Sequence, residues 1–119
     1  MPFKDRRPSI LLVDDEPANL HVLKHILQDD YRLLFARDGE RALELASNEH
    51  PQLILLDVMM PGMTGHEVCT RLKADPRTEA IPVIFVTALA NPEDEALGFE
   101  LGAVDYISKP VSAPIVRAR

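Results

Sequence analysis

The 119 residues suit one domain and leave no room for two, and a hydrophobic share of 46% is enough to bury a core, which excludes a disordered chain. A net charge of −6 and a pI of about 5.1 make a poor nucleic-acid or anionic-membrane binder, because the field of such a domain repels phosphates. The single cysteine, Cys69, rules out an intrachain disulfide, and no apolar run has signal-peptide or bilayer-spanning length, so a cytoplasmic location is expected.

Residues 1–8 read as a polar N-terminal tail, and 9–119 as the domain. The first apolar run, 10–13 (ILLV), predicts a strand that stops at Asp14-Asp15. Asp15-Glu16-Pro17 is a helix-entry signature, and Leu20, Leu23 and Leu27 then repeat at helical spacing. A second strand is predicted at 33–36, followed by a helix carrying Ala42, Leu43 and Ala46. The third strand, 53–56 (LILL), ends at Asp57, and Met60-Pro61-Gly62 suits a type II turn. Val68, Cys69 and Leu72 mark the next helix, with Cys69 on its core side. Strand 83–86 (VIFV) precedes Thr87, and Asn91-Pro92 with three acidic residues opens a fourth helix through Ala96, Leu97 and Leu101, capped by Gly102. The last run, 103–107, is broken by Asp105 and suits an edge strand. The chain then ends in VSAPIVRAR, where Pro114, Ile115 and Val116 start a fifth helix of one or two turns. So short a helix predicts that these residues are the N-terminal fragment of a longer protein.

Short, continuous Val/Ile/Leu runs suit strands of a parallel sheet buried on both faces, and their alternation with helices implies an α/β, doubly wound sheet. Ligands of such sheets sit beyond the carboxyl ends of the strands. Those ends carry Asp14-Asp15, Asp57, Thr87-Ala88 and Lys109-Pro110. Three converging carboxylates repel one another unless a cation intervenes, and Mg²⁺ takes carboxylates while keeping room for phosphate oxygens. With a lysine beside it, such a site suits a phosphoryl group, and an in-line aspartate can act as the nucleophile.

These residues carry a resemblance. LLVDDE (11–16), LILLDVMMPGMTG (53–65), VIFVTA (83–88) and GAVDYISKP (102–110) resemble the receiver domain family of two-component response regulators, in order and at family spacing over residues 9–112. The resemblance implies a flavodoxin-like five-stranded sheet of order 2-1-3-4-5 with a truncated last helix. It implies Asp57 as phospho-acceptor, Asp14, Asp15, Asp57 and the Met59 backbone carbonyl as Mg²⁺ ligands, and Thr87 and Lys109 as phosphoryl contacts. Thr87 and Tyr106 would be the switch pair, and the bond before Pro110 would be cis. The implied function is a phosphorylation-controlled switch, not an enzyme acting on other substrates. Its partners would be a sensor histidine kinase or phosphotransfer protein, a downstream output domain, and a second copy docking on the face of the fourth helix, fifth strand and fifth helix. Nucleic acid and membrane are not expected partners.

Other readings fare worse. An aspartate-nucleophile phosphatase needs a second acid two residues after the nucleophile, where Met59 stands. A flavin-binding module needs a Ser/Thr/Gly-rich phosphate loop in place of Asp14-Asp15-Glu16. A pseudo-receiver, used for protein contacts alone, has no reason to carry the complete acidic, hydroxyl and lysine set. His21 and His25, at i and i+4, could hold a metal, but they lie on the solvent side of their helix without a clear third ligand.

Overall fold

The computed structural model describes residues 7–58, 60, 62–87, 96, 97, 100, 102, 103 and 105–108, with the backbone alone for Thr87 and for 105–108. The elements follow one another as β1 (Ser9–Val13), α1 (Pro17–Leu27), β2 (Arg32–Ala36), α2 (Gly39–Glu49), β3 (Leu53–Leu56), α3 (Gly65–Ala74), β4 (Val83–Thr87) and β5 (Asp105–Ser108). All pairings are parallel, and the strand order is β2-β1-β3-β4-β5, as the resemblance implies. Ala96, Leu97 and Glu100 are helical, where the sequence predicts a fourth helix, and Gly102 takes the positive φ of 105° that suits its predicted capping role. The predicted fifth helix and the bond before Pro110 lie outside the described residues.

Alternation along the strands divides the core in two. Leu11, Val13, Ile54, Leu56, Val83 and Phe85 face α2 and α3, while Ile10, Leu12, Leu55, Ile84 and Val86 pack with the Leu20, Leu23 and Leu27 stripe of α1. Each leucine of that stripe contributes about 1.5–3 kcal/mol by leaving water. On the other face, Ala42 and Ala46 keep α2 close to the sheet. Gly39 lets α2 meet α3, since a Cβ there would lie 2.8 Å from Val68 and 2.9 Å from Met63.

Two strand expectations need correction. The run at 33–36 reads as doubly buried, yet β2 is an edge strand, mostly half-buried, with Phe35 41% exposed. It has one sheet neighbour, β1, so apolar content alone overstates its burial. The last strand is shifted: ladder pairing begins with Asp105 opposite Ile84, and Ala103 is buried in the core before the strand starts. Burial without pairing lengthened that apolar run at its front end. The edge position expected of this strand is observed.

Helix ends follow local chemistry. Asp38 accepts from the Arg41 amide at 2.8 Å, and Thr64 from the Glu67 amide at 3.2 Å, each satisfying an orphan donor of the first turn. In the last turn of α3, Lys73 Nζ donates to the carbonyls of Glu79 (3.0 Å) and Ile81 (2.7 Å), binding the helix to the loop that leads into β4.

Candidate functional site

The chain winds one way from β1 out to β2, then reverses across β1 to β3, so β1 and β3 are neighbours whose following loops diverge. Val13 pairs with Leu56, which makes Asp14 and Asp57 emerge side by side at the carboxyl edge. Main-chain bonds hold both. The Asp14 amide donates to Ala36 O (3.1 Å) and the Asp57 amide to Val13 O (3.0 Å).

Asp14 also shapes the entry to α1. Its Oδ1 accepts from the Glu16 amide at 3.0 Å, and Glu16, not an aspartate, occupies the N-cap without a side-chain cap bond. The turn ahead of α1 therefore accounts for one oxygen of Asp14.

Asp14 is 2% exposed and Asp57 5%, and Asp15 is half-buried. Each of the three offers a carboxylate oxygen, and these oxygens lie within 4.8 Å of one another. At that separation two full negative charges repel by about 3 kcal/mol in surroundings of effective dielectric 20. A group of hard oxygen ligands so placed suits a hard dication such as Mg²⁺. The geometry therefore assembles all three carboxylates singled out in the sequence.

Thr87 ends β4, and its backbone pairs with Ser108, the residue before Lys109; Tyr106 pairs with Phe85. The side chains of Thr87 and Tyr106, and all of Met59, Lys109 and Pro110, lie outside the described residues.

One contributor escaped the sequence reading. Gly65 opens α3 directly beneath the end of β3: its amide donates to Val58 O at 2.9 Å, and a Cβ there would stand 2.0 Å from the carbonyl oxygen of Asp57. No alanine fits that space without moving the Asp57 backbone. The available signal was a glycine right after the Thr64 cap, where most residue types would serve. Gly62 has a φ of 77°, as a type II turn requires of its third residue.

Other singled-out side chains are structural or peripheral. Cys69 is buried in the core, and burial pushes its thiol up, opposed by the smaller pull of Lys73. Met60 and Met63 pack with the same cluster. His66 meets Phe85 edge-to-face, ring centres 5.2 Å apart. His21 and His25 are exposed.

A family model for the response regulator receiver domain matches residues 10–119. The chain belongs to that family. A receiver domain is a phosphorylation-controlled signalling switch, and that is the role of this one. Over 111 residues it is 51% identical to a protein of Vibrio cholerae named "Probable cyclic di-GMP phosphodiesterase", covering 93% of this chain and 25% of that protein. The receiver spans about a quarter of the length of this relative and of a second one, 46% identical. Among solved structures, chemotaxis protein CheY4 of Vibrio cholerae superposes with a TM-score of 0.89 at 29% identity, covering 94% of each chain. The BeF3-activated DrrB receiver domain gives 0.83 at 35% identity, covering 95% of this chain and 93% of that one. No helix among the described residues is long and apolar enough to cross a membrane.

Proposed function

We propose that this receiver accepts a phosphoryl group on Asp57 in a Mg²⁺-dependent reaction. A sensor histidine kinase or phosphotransfer protein in the cytoplasm serves as donor, and an output region beyond these residues reads the result. The observation that carries the reading is the group of Asp14, Asp15 and Asp57, oxygens within 4.8 Å, two of them buried, at the carboxyl edge of a receiver sheet.

In this reading a carboxylate oxygen of Asp57 attacks the phosphorus of a phosphohistidine. The new O–P bond forms as the P–N bond breaks, and the departing imidazole nitrogen keeps the electron pair and takes up a proton. Asp14, Asp15, Asp57 and the Met59 carbonyl would hold the metal, and bound Mg²⁺ would supply positive charge against the phosphoryl oxygens. Lys109 adds a second positive charge, and the Thr87 hydroxyl donates a hydrogen bond. Water later attacks the aspartyl phosphate, releasing inorganic phosphate and restoring the carboxylate.

Phosphorylation adds about −1.5 to −2 charges at Asp57, which draws Thr87 and Lys109 inward. Tyr106 moves into the space Thr87 leaves, and the surface around β5 changes for its reader. Reversing a two-state equilibrium from 1:99 to 99:1 needs about 5.5 kcal/mol of differential stabilisation, a demand that several charge-assisted hydrogen bonds can meet.

The test is the intact mass of the domain after incubation with acetyl phosphate, with Mg²⁺ or with chelator, for wild type and Asp57→Asn. One added phosphoryl group, dependent on both Mg²⁺ and Asp57, is the expected result. Failure to label, together with failure to bind beryllofluoride, would sink the reading and leave a domain used for protein contacts alone.

A further inference from the structure

We infer that Met63 is a site of reversible oxidation by small neutral peroxides, whose sulfoxide parts the start of α2 from α3. Met63 lies in the loop that joins β3 to α3, half-buried against the core on the α2 and α3 side of the sheet. Its Cβ and Sδ each lie 2.9 Å from where a Cβ on Gly39 would stand, so the side chain rests on the bare backbone at the first residue of α2. Val68 of α3 closes the same space, 2.8 Å from that point. The thioether fills the gap between the two helix starts, a task that suits a flexible, polarisable side chain.

Met63 is also within reach of solvent. With Asp38, Gly39, Glu40, Gly62 and Glu67 it lines an open groove of about 380 Å³. Met60, in the same loop, is 7% exposed and is not among those walls. Access decides which thioether meets a dissolved oxidant, and it sets Met63 apart from Met60. The described walls carry three carboxylates, those of Asp38, Glu40 and Glu67, and no basic side chain. Their field repels an anionic oxidant and leaves entry to an uncharged hydroperoxide.

In the reaction a lone pair of Met63 Sδ attacks one oxygen of hydrogen peroxide. The S–O bond forms as the O–O bond breaks, and the departing hydroxide takes the proton of the transferred hydroxyl and leaves as water. Sulfur loses two electrons and the peroxide gains them. The sulfoxide is larger and polar, whereas the space it grew from cannot admit even a Cβ on Gly39. Ionised carboxylates accept hydrogen bonds and donate none, so the groove's charged side chains offer the new oxygen no donor, and it turns to water. Met63 is thereby drawn off Gly39, and the contact between α2 and α3 opens. The same loop leads on from Asp57 into α3, so oxidation also slows phosphoryl transfer, a consequence that rests on the function proposed above.

The experiment exposes the folded 119-residue chain to hydrogen peroxide and follows each methionine by peptide mass mapping. Met63 should gain one oxygen about tenfold faster than Met60, and Tm should fall by several degrees as it does. Methionine sulfoxide reductases for both epimers should remove the oxygen and restore Tm. Met63→Leu conserves volume without a sulfur, and its Tm should not respond to peroxide. The anion peroxymonosulfate should oxidise Met63 severalfold faster in the Glu40→Gln, Glu67→Gln double variant than in the wild type, and an unchanged rate overturns the preference for neutral peroxides. Four results overturn the site itself: Met60 oxidised as fast as Met63, a Tm unmoved by the Met63 sulfoxide, a fall in Tm that Met63→Leu shares, or a sulfoxide that the reductases leave in place. Acetyl phosphate labelling should slow severalfold on oxidation and recover on reduction. A domain that never labels sinks the phosphoryl reading alone, since the mapping and Tm decide the oxidation site without it.

Discussion

Asp57 and Asp75 both stand at the ends of regular elements, and they are held in opposite ways. Asp75 closes α3 at the surface, where its carboxylate accepts from the Arg77 amide (2.9 Å), Nε (3.2 Å) and a terminal guanidinium nitrogen (2.9 Å). Those bonds hold its carboxyl below the usual carboxylate value. Charge and countercharge are two residues apart, so the arrangement is local and complete in itself. Asp57 ends β3 in the interior, beside Asp14 and Asp15, which come from a different strand end and share its sign. Grouping like charges at a buried edge opposes folding unless something offsets them, whereas the surface pair carries its own countercharge.

The largest effect that bears on this contrast is expected from Gly65→Ala. A side chain driven against the Asp57 carbonyl should destabilise the domain by about 3 kcal/mol, read by urea unfolding, and slow acetyl phosphate labelling. Labelling at the wild-type rate would mean that the end of β3 yields without disturbing the carboxylate. Next comes Asp57→Asn, which removes one of three mutually repelling charges. In chelator its stability should rise by about 1 kcal/mol, or about 4 °C in Tm, while added Mg²⁺ stabilises the wild type more than the variant. A fall in Tm would show that the aspartates stabilise the fold as the surface pair does, and the contrast would be broken.

The smallest effect is expected at the surface pair. Arg77→Ala should barely move Tm, yet bring Asp75 back to the ordinary carboxylate range in a carbonyl ¹³C titration. The sign follows from the depressed value. The pair's stabilisation is present above the ordinary carboxylate range and is lost as pH falls through the lowered one. Wild type and variant should therefore differ slightly at neutral pH and converge in acid. An unchanged Asp75 titration would mean that Arg77 is not its partner in solution.

Much of this fold was legible because the interior strands announce themselves. Residues 53–56 were bounded to the residue, and the runs in β1 and β4 to within one. Within residues 10–13, 53–56 and 83–86 no polar residue blurs the pattern, and the bounds of β1 and β4 were missed only at their polar ends, Ser9 and Thr87. The edges were harder: β2 is as apolar as its neighbours though half open to water, and β5 begins two residues after the start of its apolar run. Apolar content reports burial, and burial is not the same as ladder pairing. Asp14, Asp15 and Asp57 were legible because parallel strands deliver their carboxyl ends to one edge. Gly65 was not, because its importance lies in an atom it lacks, and the Asp57 carbonyl it admits comes from another element.

The mounting of Asp57 has a mechanical consequence. Its amide is fastened to Val13 on one side, and its carbonyl is backed by the start of α3 on the other, both inside the most deeply packed part of the sheet. Whatever lands on the carboxylate strikes an anvil, and the strand beneath cannot recoil. Load placed on that carboxylate is therefore carried sideways, through the ladder from Ile54, Leu55 and Leu56 to Val83, Ile84 and Phe85 of β4.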